Sequence, residues 1–221
     1  MRKQLSIALF SVALSFSLYA GNYYENALIA FENSDIEASY INLKNALQEN
    51  DKNLPAKILM GHVLLRKGLY QDGIEEFRDA MQLNADPNPF IYEMSRALLF
   101  NEQFDDVLTL SKLTGLSQEN KIKMLLLASN ALKANNKKND AKSALIEAEQ
   151  LDPNRLATIT SIAHFELEQR NFVDAYKYIN KALALAPNNS RVWQLNGEYY
   201  NAQGRGLKAL NAFRKAYELN P

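Results

Sequence analysis

The chain has 221 residues, with 25 basic and 25 acidic side chains and no cysteine. It is longer than a typical small single domain but of ordinary length for an array of structural repeats. The balanced charge argues against broad electrostatic binding to nucleic acid or to an anionic membrane. The lack of cysteine excludes disulfides, thiolate chemistry, cysteine-ligated metals and a lipid on an amino-terminal cysteine.

Residues 1–20 have the pattern of a secretory signal peptide. Arg2 and Lys3 precede a mostly apolar run that ends at Tyr19, and Ala20 offers a cleavage site. The alternative is an uncleaved membrane anchor, but the run is interrupted by serines and is shorter than the ~20 apolar residues that a spanning helix needs. The sequence therefore predicts export followed by cleavage, and no later stretch is long and apolar enough to span a membrane.

The rest of the chain repeats with a period of 34 residues. Small residues recur in two series that share this spacing. Every member is Ala, Gly or Ser except Thr114. The first series is Ala27, Gly61, Ser95, Ser129, Ala163 and Gly197, and the second is Ala46, Ala80, Thr114, Ala148, Ala182 and Ala216. With Trp193, Tyr200, Phe213 and Pro221 in the last repeat, this pattern is typical of tetratricopeptide repeats (TPRs).

The pattern predicts an all-α chain of about six helix-turn-helix repeats after the signal peptide. The predicted repeats cover residues 20–53, 54–87, 88–121, 122–155, 156–189 and 190–221. Turns are expected at 33–35, 67–68, 101–102, 135–136, 170–171 and 203–204, where Gly, Asn or Ser can end a helix. The small residues allow the helices to approach closely. Stacked pairs of this kind build a right-handed superhelical solenoid with a concave inner face.

The third repeat departs from the pattern. Ser111 and Thr114 stand where a large apolar residue and an alanine are expected, and Gly115 interrupts the second helix. The sequence predicts a short or irregular helix over residues 104–113. This repeat is either a bend in the array or the product of sequence drift.

No catalytic pattern is visible. The two histidines, His62 and His164, occupy the same position in repeats three periods apart. Because successive repeats are roughly 10 Å apart, these side chains are about 30 Å from each other and cannot share a metal. No catalytic triad, zinc-binding motif or phosphate-binding loop is present. We predict a protein that is not an enzyme and has no cofactor or metal.

The concave face is the predicted binding groove. Its amino-terminal half is apolar and aromatic, which favours a protein or peptide partner. The groove candidates are Tyr24, Leu28, Phe31, Ile58, His62, Leu65, Arg66, Tyr92, Arg96, Leu99 and Phe100. The polar half contains Lys123, Leu126, Asn130, Lys133, Thr160, His164, Leu167, Arg191, Gln194 and Glu198. The alternative is that some of these side chains pack inside the array.

The basic clamp of chaperone-binding TPR proteins is not matched. That clamp needs a lysine and an asparagine at two groove positions of one repeat. Asn130 fits the asparagine position, but Leu126 stands where the lysine is needed. The sequence does not support that function.

One part of the chain has a more specific pattern than a general TPR, in residues 43–48 (Leu-Lys-Asn-Ala-Leu-Gln), 56–61, 68–70, 81–87, 97–100 and 107–108. Through these segments, residues 22–113 resemble the beginning of the exosortase-associated (PEP-CTERM system) TPR proteins. The resemblance implies an exported protein encoded in bacterial loci for exopolysaccharide assembly and surface-protein sorting. This chain departs from those proteins in its short length and in lacking the lipid-bearing cysteine.

Taken together, these patterns predict an exported protein-interaction scaffold, periplasmic or envelope-associated in a Gram-negative bacterium. Its expected role is envelope or exopolysaccharide assembly, or exosortase-linked sorting. One alternative is an adaptor for pilus or outer-membrane protein assembly, and another is a structural segment of a larger secreted protein. Leu210, Phe213, Tyr217 and Leu219 have no following helix to cover them. We therefore expect either that the array continues beyond residue 221 or that this end self-associates.

Overall fold

A computed structural model describes residues 23–220, and every regular element in that part of the chain is an α-helix. The chain divides into two compact units, Met1–Gln103 and Phe104–Pro221. We call them the amino-terminal unit and the carboxy-terminal unit. The predicted signal peptide lies outside the described residues. None of the helices within residues 23–220 is both long enough and apolar enough to cross a membrane.

Five helices form the described part of the amino-terminal unit. They are α1 (Tyr23–Glu32), α2 (Ile36–Glu49), α3 (Leu54–Arg66), α4 (Tyr70–Gln82) and α5 (Ile91–Phe100). The helices pack as the pairs α1–α2 and α3–α4, and α5 follows against α4. Leu43 and Phe77 are fully buried in these pairs.

Seven helices form the described part of the carboxy-terminal unit. They are α6 (Phe104–Leu110), α7 (Gln118–Ala134), α8 (Lys138–Leu151), α9 (Leu156–Glu168), α10 (Phe172–Leu185), α11 (Ser190–Ala202) and α12 (Gly206–Leu219). The pairs α7–α8, α9–α10 and α11–α12 make the most extensive contacts. All twelve described helices are therefore consistent with the predicted all-α class.

The turns predicted from the sequence are confirmed. One residue in each turn has a positive φ: Ser34, Gly68, Glu102, Asn136, Arg170 and Gly204, with φ between 58° and 77°. In the α3–α4 turn, the Gly68 N–H donates to the Leu65 carbonyl and the Leu69 N–H donates to the Leu64 carbonyl. The same pair of hydrogen bonds recurs in all six turns. It caps carbonyls that the helix end would otherwise leave unsatisfied.

The predicted role of the small residues in helix packing is confirmed at both glycines of the first series. A Cβ atom on Gly61 would lie 2.5 Å from Cε1 of Phe77, and one on Gly197 would lie 2.5 Å from Cε1 of Phe213. Real Cβ atoms do not approach other atoms this closely, so only glycine fits against these rings. In the α3–α4 and α11–α12 pairs, the first helix therefore lies directly on an aromatic ring of the second.

The third predicted repeat has a short second helix, as expected. Helix α6 has seven residues and ends at Leu110, three residues earlier than the predicted end. The Ser111 hydroxyl donates to the Leu108 carbonyl at 2.8 Å, and Gly115 has a φ of 81°. A hydroxyl that bonds to a nearby carbonyl competes with the helix, and a left-handed glycine turns the chain away.

Candidate protein-binding surfaces

Three exposed groove candidates stand out in the amino-terminal unit. Arg66, Arg96 and Phe100 are exposed, and the Phe100 side chain is 71% accessible. Arg66 ends α3, whereas Arg96 and Phe100 lie on α5. Both helices belong to the first half of the predicted groove. Exposed arginine and aromatic side chains of this kind often dominate binding energy in protein interfaces.

Both arginines lie over aromatic rings. The Arg66 guanidinium carbon lies 3.9 Å from the centroid of the Phe31 ring, which belongs to α1. The Arg96 guanidinium carbon lies 5.7 Å from the centroid of the Tyr92 ring, one helical turn earlier on α5. A guanidinium on a ring face is attracted by the ring quadrupole and keeps its N–H edges available for other partners. The rings therefore orient the two guanidinium groups without neutralising their positive charge.

His62 lies on α3, one helical turn before Arg66. Its ring meets Phe77 edge-on, with centroids 5.1 Å apart and an angle of 71° between the planes. Burial lowers the pKa of His62 below its ordinary value of 6.5; the nearby Glu93 carboxylate opposes this shift and the Arg66 cation adds to it. His62 on α3 is thus within electrostatic reach of Glu93 on α5. We call this surface, formed by Phe31, His62, Arg66, Tyr92, Arg96 and Phe100, the arginine–aromatic surface.

Two residues next to this surface escaped the sequence prediction. The Tyr70 ring lies 4.7 Å from that of Phe100, centroid to centroid, at an angle of 51°. Glu93 places one carboxylate close to His62. Tyr70 begins the second helix of its pair, and the groove positions were sought only on first helices. Tyr70 and Phe100 are 30 residues apart, so the 34-residue period did not predict that they would be in contact.

The remaining candidates are less accessible. Tyr24 and Leu28, together with Phe31, pack against the buried cluster that contains Ala27 and Leu43. Ile58, Leu65 and Leu99 are half-buried. Tyr24, Leu28 and Phe31 are therefore only partly available to a partner. The accessible part of the surface is therefore concentrated in Arg66, Arg96 and Phe100.

A separate polar cleft lies in the carboxy-terminal unit. Its volume is about 450 Å³, and helices α7, α8, α9 and α11 contribute its lining. Seven candidates from the polar half of the predicted groove line it: Asn130, Lys133, Thr160, His164, Arg191, Gln194 and Glu198. Lys123, Leu126 and Leu167 do not. The 34-residue spacing thus brought most of the polar candidates to one place.

Lys133 of the polar cleft belongs to a network of polar contacts. Lys133 Nζ lies 3.0 Å from a Glu168 carboxylate oxygen, and His164 Nε2 lies 3.1 Å from the other oxygen. His164 Nδ1 lies 3.9 Å from Glu198, which also accepts a hydrogen bond from Gln194 at 3.0 Å. This network joins α7, α9 and α11 across the cleft.

The arginines of the arginine–aromatic surface differ from Lys133 in this respect. Within residues 23–220, no carboxylate lies at ion-pair distance from Arg66 or Arg96. The polar cleft also holds one arginine, Arg191, outside its network of ion pairs. In the same part of the chain, no group of three or more His, Asp or Glu side chains is placed to hold a metal ion.

Comparison with solved structures identifies the fold. A tetratricopeptide repeat protein from Parabacteroides merdae superposes with a TM-score of 0.79 at 13% identity, covering 91% of this chain and 80% of that one. PilW, described as a type IV pilus biogenesis factor, gives 0.66 at 15% identity over 88% and 90% of the two chains. YrrB, described as a TPR protein with an unusual peptide-binding site, gives 0.59 at 16% identity over 87% and 90%.

Sequence comparison reaches less far. No family model matches the chain. Superkiller protein 3 of Schizosaccharomyces pombe is 37% identical over 62 residues, which is 28% of this chain and only 4% of that protein. The fold is therefore that of a TPR protein, as the 34-residue period predicted, and the structural likenesses define the fold alone.

Proposed function

We propose that this protein is an exported, non-enzymatic scaffold that binds another protein through the arginine–aromatic surface, in the assembly of the bacterial envelope. The observation that carries the proposal is the exposure of Arg66, Arg96 and Phe100 on the first helices of two consecutive predicted repeats of a TPR fold. Side chains of these types, when exposed together, indicate a surface that binds another protein and not one that only keeps the protein soluble.

Two lines of support come from outside the surface itself. The resemblance of residues 22–113 to exosortase-associated TPR proteins favours a role in exopolysaccharide assembly or surface-protein sorting. The solved TPR protein YrrB is described as having a peptide-binding site, which supports a peptide or protein as the partner here.

The alternative is an adaptor in pilus or outer-membrane protein assembly. It is favoured by the likeness to PilW, which is described as a pilus biogenesis factor. The two roles differ in the partner that the surface holds. Identification of that partner distinguishes them: a polysaccharide or sorting component supports the first, and a pilus or outer-membrane component supports the second.

The binding proposal is tested by co-purification from envelope extracts of the native host. Tyr92→Ala combined with Phe100→Ala is expected to abolish recovery of the partner, because it removes two aromatic rings from the arginine–aromatic surface. Helical content, measured by circular dichroism, is expected to stay unchanged. Ile29→Ala and Ile41→Ala are matched controls, since these side chains are 55% and 53% accessible and are not among the residues that form this surface.

Both control variants are expected to retain the partner. Recovery that survives Tyr92→Ala with Phe100→Ala would place the binding site elsewhere and contradict the proposal. Loss of recovery in the control variants as well would show that any apolar truncation weakens the protein. The experiment would then no longer support binding at the arginine–aromatic surface.

Export is tested separately. Amino-terminal sequencing of the protein from its native host is expected to begin at or near Gly21, because Ala20 ends the predicted signal peptide. An intact Met1 in the soluble cytoplasmic fraction would contradict export. That result would not affect the proposal that the protein binds a partner, but it would exclude a role in envelope assembly.

A further inference from the structure

We infer that the partner segment that binds the arginine–aromatic surface is acidic, carrying carboxylate side chains next to an apolar residue. This inference rests on the proposed function, which gives the surface a protein partner. It adds the chemistry by which the surface selects that partner.

The first argument is the state of the two guanidinium groups. Arg66 and Arg96 each lie over a ring, at 3.9 Å and 5.7 Å, and neither is paired with a carboxylate within residues 23–220. Stacking restricts the orientation of a guanidinium but uses none of its N–H donors. Both groups are therefore oriented and still able to form the paired hydrogen bonds that arginine makes with carboxylates.

The second argument is the balance of charge on the surface. The lowered pKa of His62, caused first by burial, leaves this side chain mostly neutral at neutral pH. The residues of this surface include two arginines and no carboxylate, and adding the one carboxylate that acts on His62, that of Glu93, leaves a net positive charge. An acidic segment complements this charge, whereas a basic segment would be repelled.

The third argument is the apolar surface beside the cations. Phe100 is 71% accessible, and its ring lies against Tyr70. Leu65 and Leu99 are half-buried near the ends of α3 and α5. An apolar side chain of the partner can cover Phe100 while its neighbouring carboxylates reach the arginines. A purely polyanionic ligand would leave this ring exposed.

The test measures binding of a labelled peptide of alternating glutamate and leucine to the full chain by fluorescence anisotropy. A peptide with glutamine in place of glutamate is the matched probe. The glutamate peptide is expected to bind at least about tenfold more tightly, since hydrogen bonds to charged groups are among the stronger ones. Its affinity is expected to fall as salt concentration rises.

Variants locate the effect. Arg66→Gln and Arg96→Gln are each expected to weaken binding of the glutamate peptide by about tenfold and to leave the glutamine peptide unaffected. Arg66→Lys is expected to give an intermediate loss, because lysine keeps the charge but not the planar fork. Lys133→Gln, in the polar cleft, is the control and is expected to have no effect. Thermal melting checks that every variant is folded.

Three outcomes would overturn the inference. Equal or undetectable binding of the two peptides is one, and unchanged binding by both Arg→Gln variants is another. The third is binding of a polyuronate, which carries carboxylates without apolar side chains, in preference to the glutamate peptide. If Tyr92→Ala with Phe100→Ala abolishes recovery of the native partner while Arg66→Gln and Arg96→Gln retain it, the acidic partner is excluded and the proposed function stands.

Discussion

The cationic side chains at the predicted groove positions have different partners in the two units. In the carboxy-terminal unit, Lys133 is 3.0 Å from Glu168, and His164 lies between Glu168 and Glu198. In the amino-terminal unit, Arg66 and Arg96 lie on aromatic rings instead. Lys133 of the polar cleft is thus paired within the fold, whereas no carboxylate within residues 23–220 lies at ion-pair distance from Arg66 or Arg96.

The units also differ around a contact that they share. Gly61 lies on the Phe77 ring and Gly197 lies on the Phe213 ring with the same geometry. Phe77 is fully buried and stacks on Phe90, with centroids 4.9 Å apart and planes 5° from parallel. Phe213 is 37% accessible. The position in the repeat therefore determines that glycine contacts phenylalanine in both pairs. The residues that follow determine how deeply the phenylalanine ring is buried.

The largest expected effect is on this shared contact. Gly61→Leu is expected to destabilise the protein by roughly 1–3 kcal/mol or more, because Phe77 has no room to move away. Gly197→Leu is expected to cost less, since Phe213 can turn toward solvent. Thermal or chemical unfolding of the two variants measures the difference. A Gly61→Leu variant that melts like the parent would contradict the helix packing described above.

The next effect concerns the apolar face of α12. Leu210 and Tyr217 are 54% and 69% accessible there. Phe213 of the same helix is 37% accessible, whereas its counterpart one repeat earlier, Ile179 of α10, is fully buried in a cluster that includes Leu195 of α11. Exposed apolar surface favours association. We expect concentration-dependent self-association of residues 21–221 in light scattering, reduced by Tyr217→Glu. A strictly monomeric parent at high concentration would contradict this prediction.

A smaller effect separates the roles of the cations. Lys133→Gln removes an ion pair whose side chains are 25% and 38% accessible, and is expected to lower stability by less than about 1 kcal/mol. Arg66→Gln removes no ion pair but does remove the cation–π contact with Phe31, and it is expected to change stability by no more than Lys133→Gln does. Chemical unfolding of both variants measures the two effects. If Arg66→Gln destabilises the protein more than Lys133→Gln, Arg66 has a structural role that conflicts with its assignment to partner binding.

The smallest effect is the pH dependence that His62 contributes. Its pKa is lowered in the folded protein, chiefly by burial, so the unfolded chain binds more protons as pH falls below the ordinary value of 6.5. The sign follows from linkage: stability declines as pH falls from about 6.5 toward the lowered folded pKa. His62→Gln is expected to remove this decline, measured by unfolding at several pH values. An identical pH dependence in parent and variant would contradict the burial of His62.

Much of the fold could be predicted from the sequence because it depends on local chemistry that repeats. Six of the residues that adopt a positive φ, among them Gly68 and Asn136, fall within turns that the 34-residue period marks. The close contact at Gly61 follows from the period as well, since only a small side chain recurs there. The early end of α6 was less predictable, because it depends on the hydrogen bond made by the Ser111 hydroxyl.

The chemistry of the two surfaces could be predicted only in part. The period identified Arg66 and Lys133 as groove residues, but not that Phe31 would lie beneath the first and Glu168 beside the second. These partners come from other helices, and their approach depends on side-chain conformations that no spacing encodes. The contact of Tyr70 with Phe100 was missed for the same reason.

The most direct test of the central claim maps where an acidic partner binds. The glutamate–leucine peptide, carrying a photoreactive benzophenone, is cross-linked to the full chain, and the attachment sites are identified by mass spectrometry. Attachment is expected on α3 and α5, close to Arg66, Arg96 and Phe100, and is expected to disappear in the Arg66→Gln and Arg96→Gln double variant. Attachment in the polar cleft, near Lys133 or Arg191, would contradict the claim that the amino-terminal unit holds the partner.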